Sequence, residues 1–287
     1  MEIVTTLPEL RDAIAALRRT GPVALVPTMG ALHGGHLALV RRAAELAPNV
    51  VVSIFVNPTQ FGPNEDLAKY PRQPATDIAL LEAEGAALLW APAVDEVYPE
   101  GFATSISVEG VSEGLDGTWR PGHFAGVATV VAKLFNQVQP DIAVFGEKDW
   151  QQLAVIRRMA RDLDLTHPAA AQIVGVETVR EADGLAMSSR NRYLSPEDRA
   201  AAAALPRAMK AAIEAIEEGA EVVTMLEKLE VDLIDAGFAS IDYATLADAA
   251  SLVLLTEAHD DRPMRLLVAA RIGGTRLIDN MAVEARA

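Results

Sequence analysis

The sequence predicts an α/β protein: a doubly wound parallel sheet, followed by a second, smaller α+β domain at the C-terminal end. Three observations carry the prediction. Short apolar runs at 23–26, 50–56, 86–90, 142–145 and 172–176 are rich in Val, Ile, Leu and Ala, as strands buried on both faces are. Segments with helical spacing lie between them, and strands alternating with helices imply a parallel sheet covered on both sides. Beyond about residue 178 this alternation gives way to Ala-rich helical sequence and then to three strand-like segments.

Taken in order, residues 7–19 have helical spacing with Pro8 near the start, and Gly21-Pro22 stops that helix and feeds the first strand. The run 27–36, Pro-Thr-Met-Gly-Ala-Leu-His-Gly-Gly-His, turns the chain from this strand into an amphipathic helix beginning near Leu37. Pro48-Asn49 ends that helix, and the second strand runs into 57–63, which is too rich in turn residues to continue it. A helix over 75–84, a third strand ended by Pro92, a glycine-bearing loop over 108–122 and a helix over 126–138 follow. The fourth strand leads into Gly146-Glu147-Lys148-Asp149 and a helix over 150–162, and a fifth strand closes the set. The expected organisation is a Rossmann-like domain over 1–177 and a smaller α+β domain over 178–287. In the latter, Ser195-Pro196-Glu197-Asp198 has the marks of a helix start. Helices to about 236 precede a small antiparallel sheet with a hairpin at Gly273-Gly274.

Composition narrows the function classes. At 287 residues, 51% of them hydrophobic, the chain is long enough for two domains and a sizeable core. The net charge of −15 argues against a nucleic-acid partner, which needs a basic face. No apolar run approaches the ~20 residues of a membrane span. The N-terminus has neither the basic start nor the apolar stretch of a secretion signal, and there is no cysteine for disulfides or thiol catalysis. A cytoplasmic protein is the expectation.

The stretch 27–36 holds the chemistry. Glycine lets backbone approach a ligand closely, and the N–H groups of a helix's first turn form an anion site. His33 and His36, three apart, face the same ligand, so the stretch reads as a phosphate cradle. Gly30 alone can equally serve only to turn the chain. An H-x-x-H pair can also hold a metal, but His123, His167 and His259 show no ligand spacing and there is no cysteine to complete a zinc site. In an open parallel sheet, ligands bind outside the carboxyl ends of the strands. There the loops supply His33 and His36, then Asn57 and Gln60, then Lys148, Asp149 and Gln152. Lys148 opens a helix, where a cation is unfavourable unless an anion sits beside it. Ser188, Ser189 and Arg190 form a donor-rich loop between the two expected domains, able to close over a polyphosphate or simply to link them. Arg120, Arg180 and Arg192 rank lower, as solvated arginines are common.

Five motifs occur in order: P-T-M-G-A-L-H-G-G-H, F-V-N-P-T-Q-F, R-P-G-H-F-A-G-V, F-G-E-K-D and M-S-S-R-N-R-Y-L. Together they closely resemble the pantoate–β-alanine ligase family, which belongs to the nucleotidyltransferases with H-x-G-H-type motifs; the likeness covers 22–193 and is weaker beyond. It implies an ATP-dependent, AMP-forming ligation. Pantoate is activated as pantoyl adenylate, and the amine of β-alanine then displaces AMP. It further implies an ATP site lined by Met29, Gly30, Ala31, Leu32, His33, Gly34, Gly35, His36, Gly146, Glu147, Lys148, Asp149, Val179, Met187, Ser188, Ser189 and Arg190. His36 is the implied proton donor, and His33, Lys148 and Arg190 are the other catalytic candidates. Gln60 and Gln152, with Asn57, would hold pantoate or β-alanine. Mg²⁺ would accompany ATP, with its protein ligand left open and Asp77 only a guess. A homodimer is implied as well. Trp150 stands where the family is expected to carry tyrosine. Two rival readings remain: a transferase that passes the nucleotide to another acceptor, and a nucleotide-sensing module without chemistry.

Overall fold

Local signals explain most element boundaries in the computed structural model, which describes residues 1–63, 65 and 67–284. The chain falls into two compact units. One comprises 1–147 and 151–177, the other 148–150 and 178–287.

The first unit is a six-stranded, wholly parallel sheet with helices between its strands. In chain order it holds β1 (Glu2–Val4), α1 (Leu7–Leu17), β2 (Val23–Thr28), α2 (Gly34–Leu46), β3 (Asn49–Ile54), α3 (Pro74–Ala83) and β4 (Leu88–Trp90). Then come α4 (Val94–Val97), α5 (Leu115–Trp119), α6 (His123–Val138), β5 (Ile142–Gly146), α7 (Trp150–Asp162) and β6 (Ile173–Val176). The strand order is β1-β4-β3-β2-β5-β6, so the direction of winding reverses between β2 and β5. Ligands of doubly wound sheets bind beyond the carboxyl ends of the strands at that reversal. Thr28 ends β2 immediately before the cradle, and Gly146 ends β5 immediately before Glu147-Lys148.

The strands are apolar because both faces are covered: Val23 to Val26 and Val51, Val52, Leu88 and Leu89 are all buried. Val26, Val50, Val52 and Leu89 of the sheet pack with Leu39 and Val40 of α2 and Leu81 of α3. Each such side chain contributes about 1.5–3 kcal/mol relative to exposure. At the start of α1 the Glu9 carboxylate accepts from the Thr5 and Thr6 N–H groups, with Pro8 in the first turn. The edge strand β1 escapes sequence reading because three residues are too few to show a period. The predicted loop at 108–122 contains the short helix α5. Helix α6 starts at His123 rather than 126, because Gly122 at φ +82° ends the preceding segment and serves as its N-cap.

The second unit holds α8 (Pro196–Ala202), α9 (Ala204–Glu217), α10 (Val222–Asp235), β7 (Ser240–Asp248), β8 (Leu254–Leu255), β9 (Met264–Ile272) and β10 (Thr275–Val283). The Ser195 hydroxyl caps α8 by accepting from the Asp198 N–H, with Pro196 at the first position, as the sequence predicts. The four strands form an antiparallel sheet in the order β10-β9-β7-β8. Ile272 pairs with Thr275 across Gly273 and Gly274, both at positive φ, which is the two-residue hairpin turn that glycine permits. Leu205, Met209 and Ile216 of α9 pack with Leu266 and Val268 of β9 in one core.

Candidate active site

The cradle is shaped by a carboxylate that sequence reading did not place. Gly30 lies at φ +79° and Ala31 at φ +51°, a left-handed pair that turns the chain sharply after β2. Asp77 on α3 is buried, and its two oxygens accept from the Ala31 N–H and the Leu32 N–H at 2.9 Å each. The Gln73 side-chain amide donates to it as well. A Cβ on Gly30 would lie 3.1 Å from Asp77 Oδ2 and from Ile54 Cγ2, so both the turn and the space favour glycine. The amides of Ala31 and Leu32 are thereby committed to the protein.

His33 and His36 form a reciprocal cap on α2. The Gly35 N–H donates to His33 Nδ1, and the His33 N–H donates to His36 Nδ1. This is a capping box made by two imidazoles at the spacing where Ser/Thr and Glu normally stand. The rings lie 4.1 Å apart between centroids. A nitrogen that accepts from a backbone N–H carries no proton, so in the neutral ring the hydrogen sits on Nε2. The cap thus sets the tautomer of both rings, and amides that a simple phosphate loop would present are replaced by imidazole donors.

Past β3, Asn57 is 1% exposed and holds a network together. Its Nδ2 donates to Gln60 Oε1 and to the Gly126 carbonyl, both at 3.1 Å, while its Oδ1 accepts from the Thr59 backbone and hydroxyl and from the Tyr98 hydroxyl. Both amide hydrogens of Asn57 therefore serve the protein, and what it does is aim the Gln60 carboxamide, whose Nε2 faces Met29 Sδ at 3.1 Å. The start of α6 packs directly on this loop. A Cβ on Gly126 would stand 2.4 Å from the Thr59 carbonyl oxygen, closer than backbone allows.

His123, at the head of α6, is buried between Gln60 and Arg120. Burial, and after it the Arg120 charge, push its pKa down to about 4 against the opposing pull of the Gln60 carbonyl, Asp116 and Glu65.

At the end of β5, Gly146 and Glu147 lead into a single 3-10 turn (Glu147–Asp149), so Lys148 precedes α7 rather than standing in its first turn. The Glu147 side chain lies against Gly175, where a Cβ would come within 2.8 Å of Oε1. The neighbouring glutamines of α7 differ sharply. Gln151 is buried, accepting from the Asp116 N–H and donating to the carbonyls of Val111, Glu113 and Gly114. The side chain of the half-buried Gln152 makes no hydrogen bond among the described residues.

Lys148, Asp149 and Trp150 belong with the second unit. Asn280 Nδ2 donates to the Lys148 carbonyl at 2.8 Å, and the Trp150 indole N–H donates to the Ala249 carbonyl at 2.8 Å. The Arg265 guanidinium lies 3.5 Å from the centre of the Trp150 ring and bonds Asn280 Oδ1. Trp150 is thus the anchor of this turn, which accounts for a large aromatic with a donor at that place. The Lys148 ammonium, largely buried, lies 3.9 Å from Asp149. In the same unit the Met187 N–H donates to the Val179 carbonyl, and the Ser188 hydroxyl accepts from the Arg190 N–H, which fixes the Met187-Ser188-Ser189-Arg190 loop. Arg180, ranked low from sequence, grips the buried Asp279 with two nitrogens and is a framework cation.

Sequence reading missed Asp77 as the holder of the cradle, His123 with Arg120, and Asn280. The first two had a signal: an acid in a helix's first turn, and a motif with no assigned task. Asn280 had none.

A profile of the family described as pantoate-beta-alanine ligase matches residues 2–282. The chain is 64% identical over 284 residues to the pantothenate synthetase of Novosphingobium aromaticivorans and 61% identical over 285 residues to that of Rhizorhabdus wittichii, covering 99% of each sequence in both pairs. The crystal structure of pantothenate synthetase from Thermus thermophilus superposes with a TM-score of 0.92 at 50% identity, over 99% of this chain and all of that one. The structure of pantoate-beta-alanine ligase from Francisella tularensis, complexed with beta-gamma ATP and beta-alanine, superposes with a TM-score of 0.81 at 32% identity, over 98% of this chain and 97% of that one. With the paired imidazoles at the winding reversal, these matches along the whole chain establish that it belongs to the pantoate–β-alanine ligase family.

Proposed function

We propose that the chain joins pantoate to β-alanine at the cost of ATP, releasing AMP and pyrophosphate, with the residues described above in the following roles. A carboxylate oxygen of pantoate attacks the α-phosphorus. An O–P bond forms, the bond to pyrophosphate breaks, and pantoyl adenylate results. The amine of β-alanine then attacks the acyl carbon, the C–O bond to AMP breaks, and the nitrogen gives up a proton.

The observation that carries this reading is the imidazole capping box, which in the neutral rings leaves the proton on Nε2 at a helix N-terminus. Phosphoryl attack places negative charge on the phosphate oxygens, so catalysis is positioning plus fixed donors. His33 and His36 supply those donors, His36 as the proton donor, and Lys148 and Arg190 offset charge in a chain of net charge −15. Met29 to His36, Gly146 to Asp149, Val179 and Met187 to Arg190 line the nucleotide. Gln60 and Gln152 hold pantoate, and Gln60 lies near β-alanine; the support for Gln152 is a carboxamide with no partner among the described residues. The region from 178 onward serves as the cover that protects the adenylate from water.

Mg²⁺ enters with the triphosphate. Asp77 does not fit as its ligand, because both oxygens are held by backbone amides, and among the described residues no group of three or more potential ligands is gathered. A homodimer in the cytoplasm is part of the proposal, and sedimentation at working concentration tests the dimer.

The deciding experiment is AMP formation with each substrate withheld in turn. Release that requires both pantoate and β-alanine is the expected result. ATP turnover indifferent to β-alanine would mean that the nucleotide passes to another acceptor, and ATP binding without turnover would mean a sensor.

A further inference from the structure

The motif Arg120-Pro121-Gly122-His123 has no task in the reaction as described, yet it touches the substrate side of the site through a single bond. His123 Nδ1 lies 2.8 Å from the Gln60 carbonyl oxygen, and Nε2 lies 3.0 Å from Arg120 Nη1. A carbonyl only accepts and a guanidinium only donates. One form of the ring satisfies both neighbours: neutral, with the hydrogen on Nδ1. Arg120 is itself fixed, its Nε and Nη2 donating to the two oxygens of Glu65 at 2.8 and 2.7 Å in a fork-to-fork pair. These side chains are mostly buried, so each group has one geometry open to it.

We infer that Glu65, Arg120 and His123 form a positioning relay that holds the Gln60 carbonyl, and so sets the carboxamide with which the enzyme grips pantoate. The inference rests on the assignment of Gln60 to pantoate. Gln60 is gripped from two sides. Asn57, itself tied to the Gly126 carbonyl, aims its side chain, and His123 fixes its main chain. Both supports lead back to the start of α6, which supplies His123 and the Gly126 carbonyl that holds Asn57 and lies tightly against the loop. A one-bond anchor of this kind converts the rigidity of a helix into the placement of a substrate contact, and small misplacements of such contacts cost affinity steeply. His123 touches no reacting atom; it acts through Gln60.

The relay gives two results that a merely structural histidine would not. In long-range ¹H–¹⁵N spectra, His123 carries its proton on Nδ1; a ring protonated on Nε2 overturns the relay. In steady-state assays, His123→Ala raises the KM for pantoate by about tenfold while the KM for ATP stays within about twofold. His123→Asn, whose amide can still donate to the Gln60 carbonyl, recovers most of that loss. Gln60→Ala separates the two ideas. If it raises the pantoate KM and His123→Ala does not, the relay is wrong and the Gln60 assignment stands; if neither changes that KM, the Gln60 assignment itself falls. Should His123→Ala fail to fold, Arg120→Lys retains the charge and loses the fork. An unchanged pantoate KM in that variant overturns the inference, and a rise of about threefold or more supports it.

Discussion

The two segments that follow β2 and β5 are held in place by opposite means. The turn from Gly30 to His36 is built mainly from its own residues: two imidazoles cap the helix they begin, and one carboxylate from the next helix holds the backbone behind them. The turn from Glu147 to Trp150 is tied from a distance. Its backbone is tied by Asn280, 132 residues further along, and its aromatic end by Ala249 and Arg265. In the first segment, the groups proposed to do chemistry also maintain the fold. In the second those duties are divided, and the lysine is carried by residues to which the proposed reaction gives no part.

The largest effects test this division. His36→Ala is expected to lower adenylate formation by about 10²–10³ and also to remove about 1 kcal/mol of stability, because a donor and a cap disappear together. Lys148→Ala should lower the same rate at least about tenfold with the thermal midpoint unchanged, since its side chain holds nothing but a 3.9 Å approach to a half-exposed aspartate. Pyrophosphate exchange and calorimetry on both variants check the pair. Equal stability losses would erase the distinction, and a fully active Lys148→Ala would remove that residue from the mechanism.

Acid comes next. With its folded pKa near 4 against an ordinary 6.5, His123 binds a proton more readily in the unfolded chain. Stability is therefore lost as pH falls from about 6.5 towards 4, by up to roughly 3 kcal/mol, and the loss levels off below that range. Denaturant titrations at pH 7 and pH 4.5 should show it, and His123→Asn should show a smaller difference between the two. Asp77→Ala is expected to cost about 2 kcal/mol and to raise the KM for ATP, because two amides of the cradle lose their acceptor. Wild-type affinity in that variant would mean that the turn keeps its shape unaided. Smallest is Asn280→Ala, at about 1 kcal/mol with a few-fold lower rate, read from kcat at saturating ATP.

What is legible in the sequence follows the same division. The strand runs, the Gly273-Gly274 hairpin and the Ser195 cap are local, and each is written within a few neighbouring residues. His33 and His36 can be paired on paper because three residues is one helical turn. Asp77 reads on paper as a first-turn acid of α3; its role depends on amides 45 and 46 residues earlier. His123 reads as the fourth letter of a motif, and its partner carbonyl stands 63 residues away. The Ala-rich stretch after 195 reads as helices running to about 236 with no breaks placed; the chain breaks at Ala203 and again between α9 and α10, where Gly219 lies at φ +104° and the Glu221 side chain caps α10. Periodicity records which face is apolar, and it is silent about which distant backbone group a polar side chain will meet.

The placement of 148–150 also bears on modularity. A cut at the obvious boundary near residue 177 would leave Lys148 and Trp150 on one fragment, and Asn280, Ala249 and Arg265 on the other. Neither piece would be a self-sufficient module. Exchanging C-terminal halves between relatives would succeed only where the donor brings groups matching the recipient's tryptophan, so this small loop is where such chimeras should be judged.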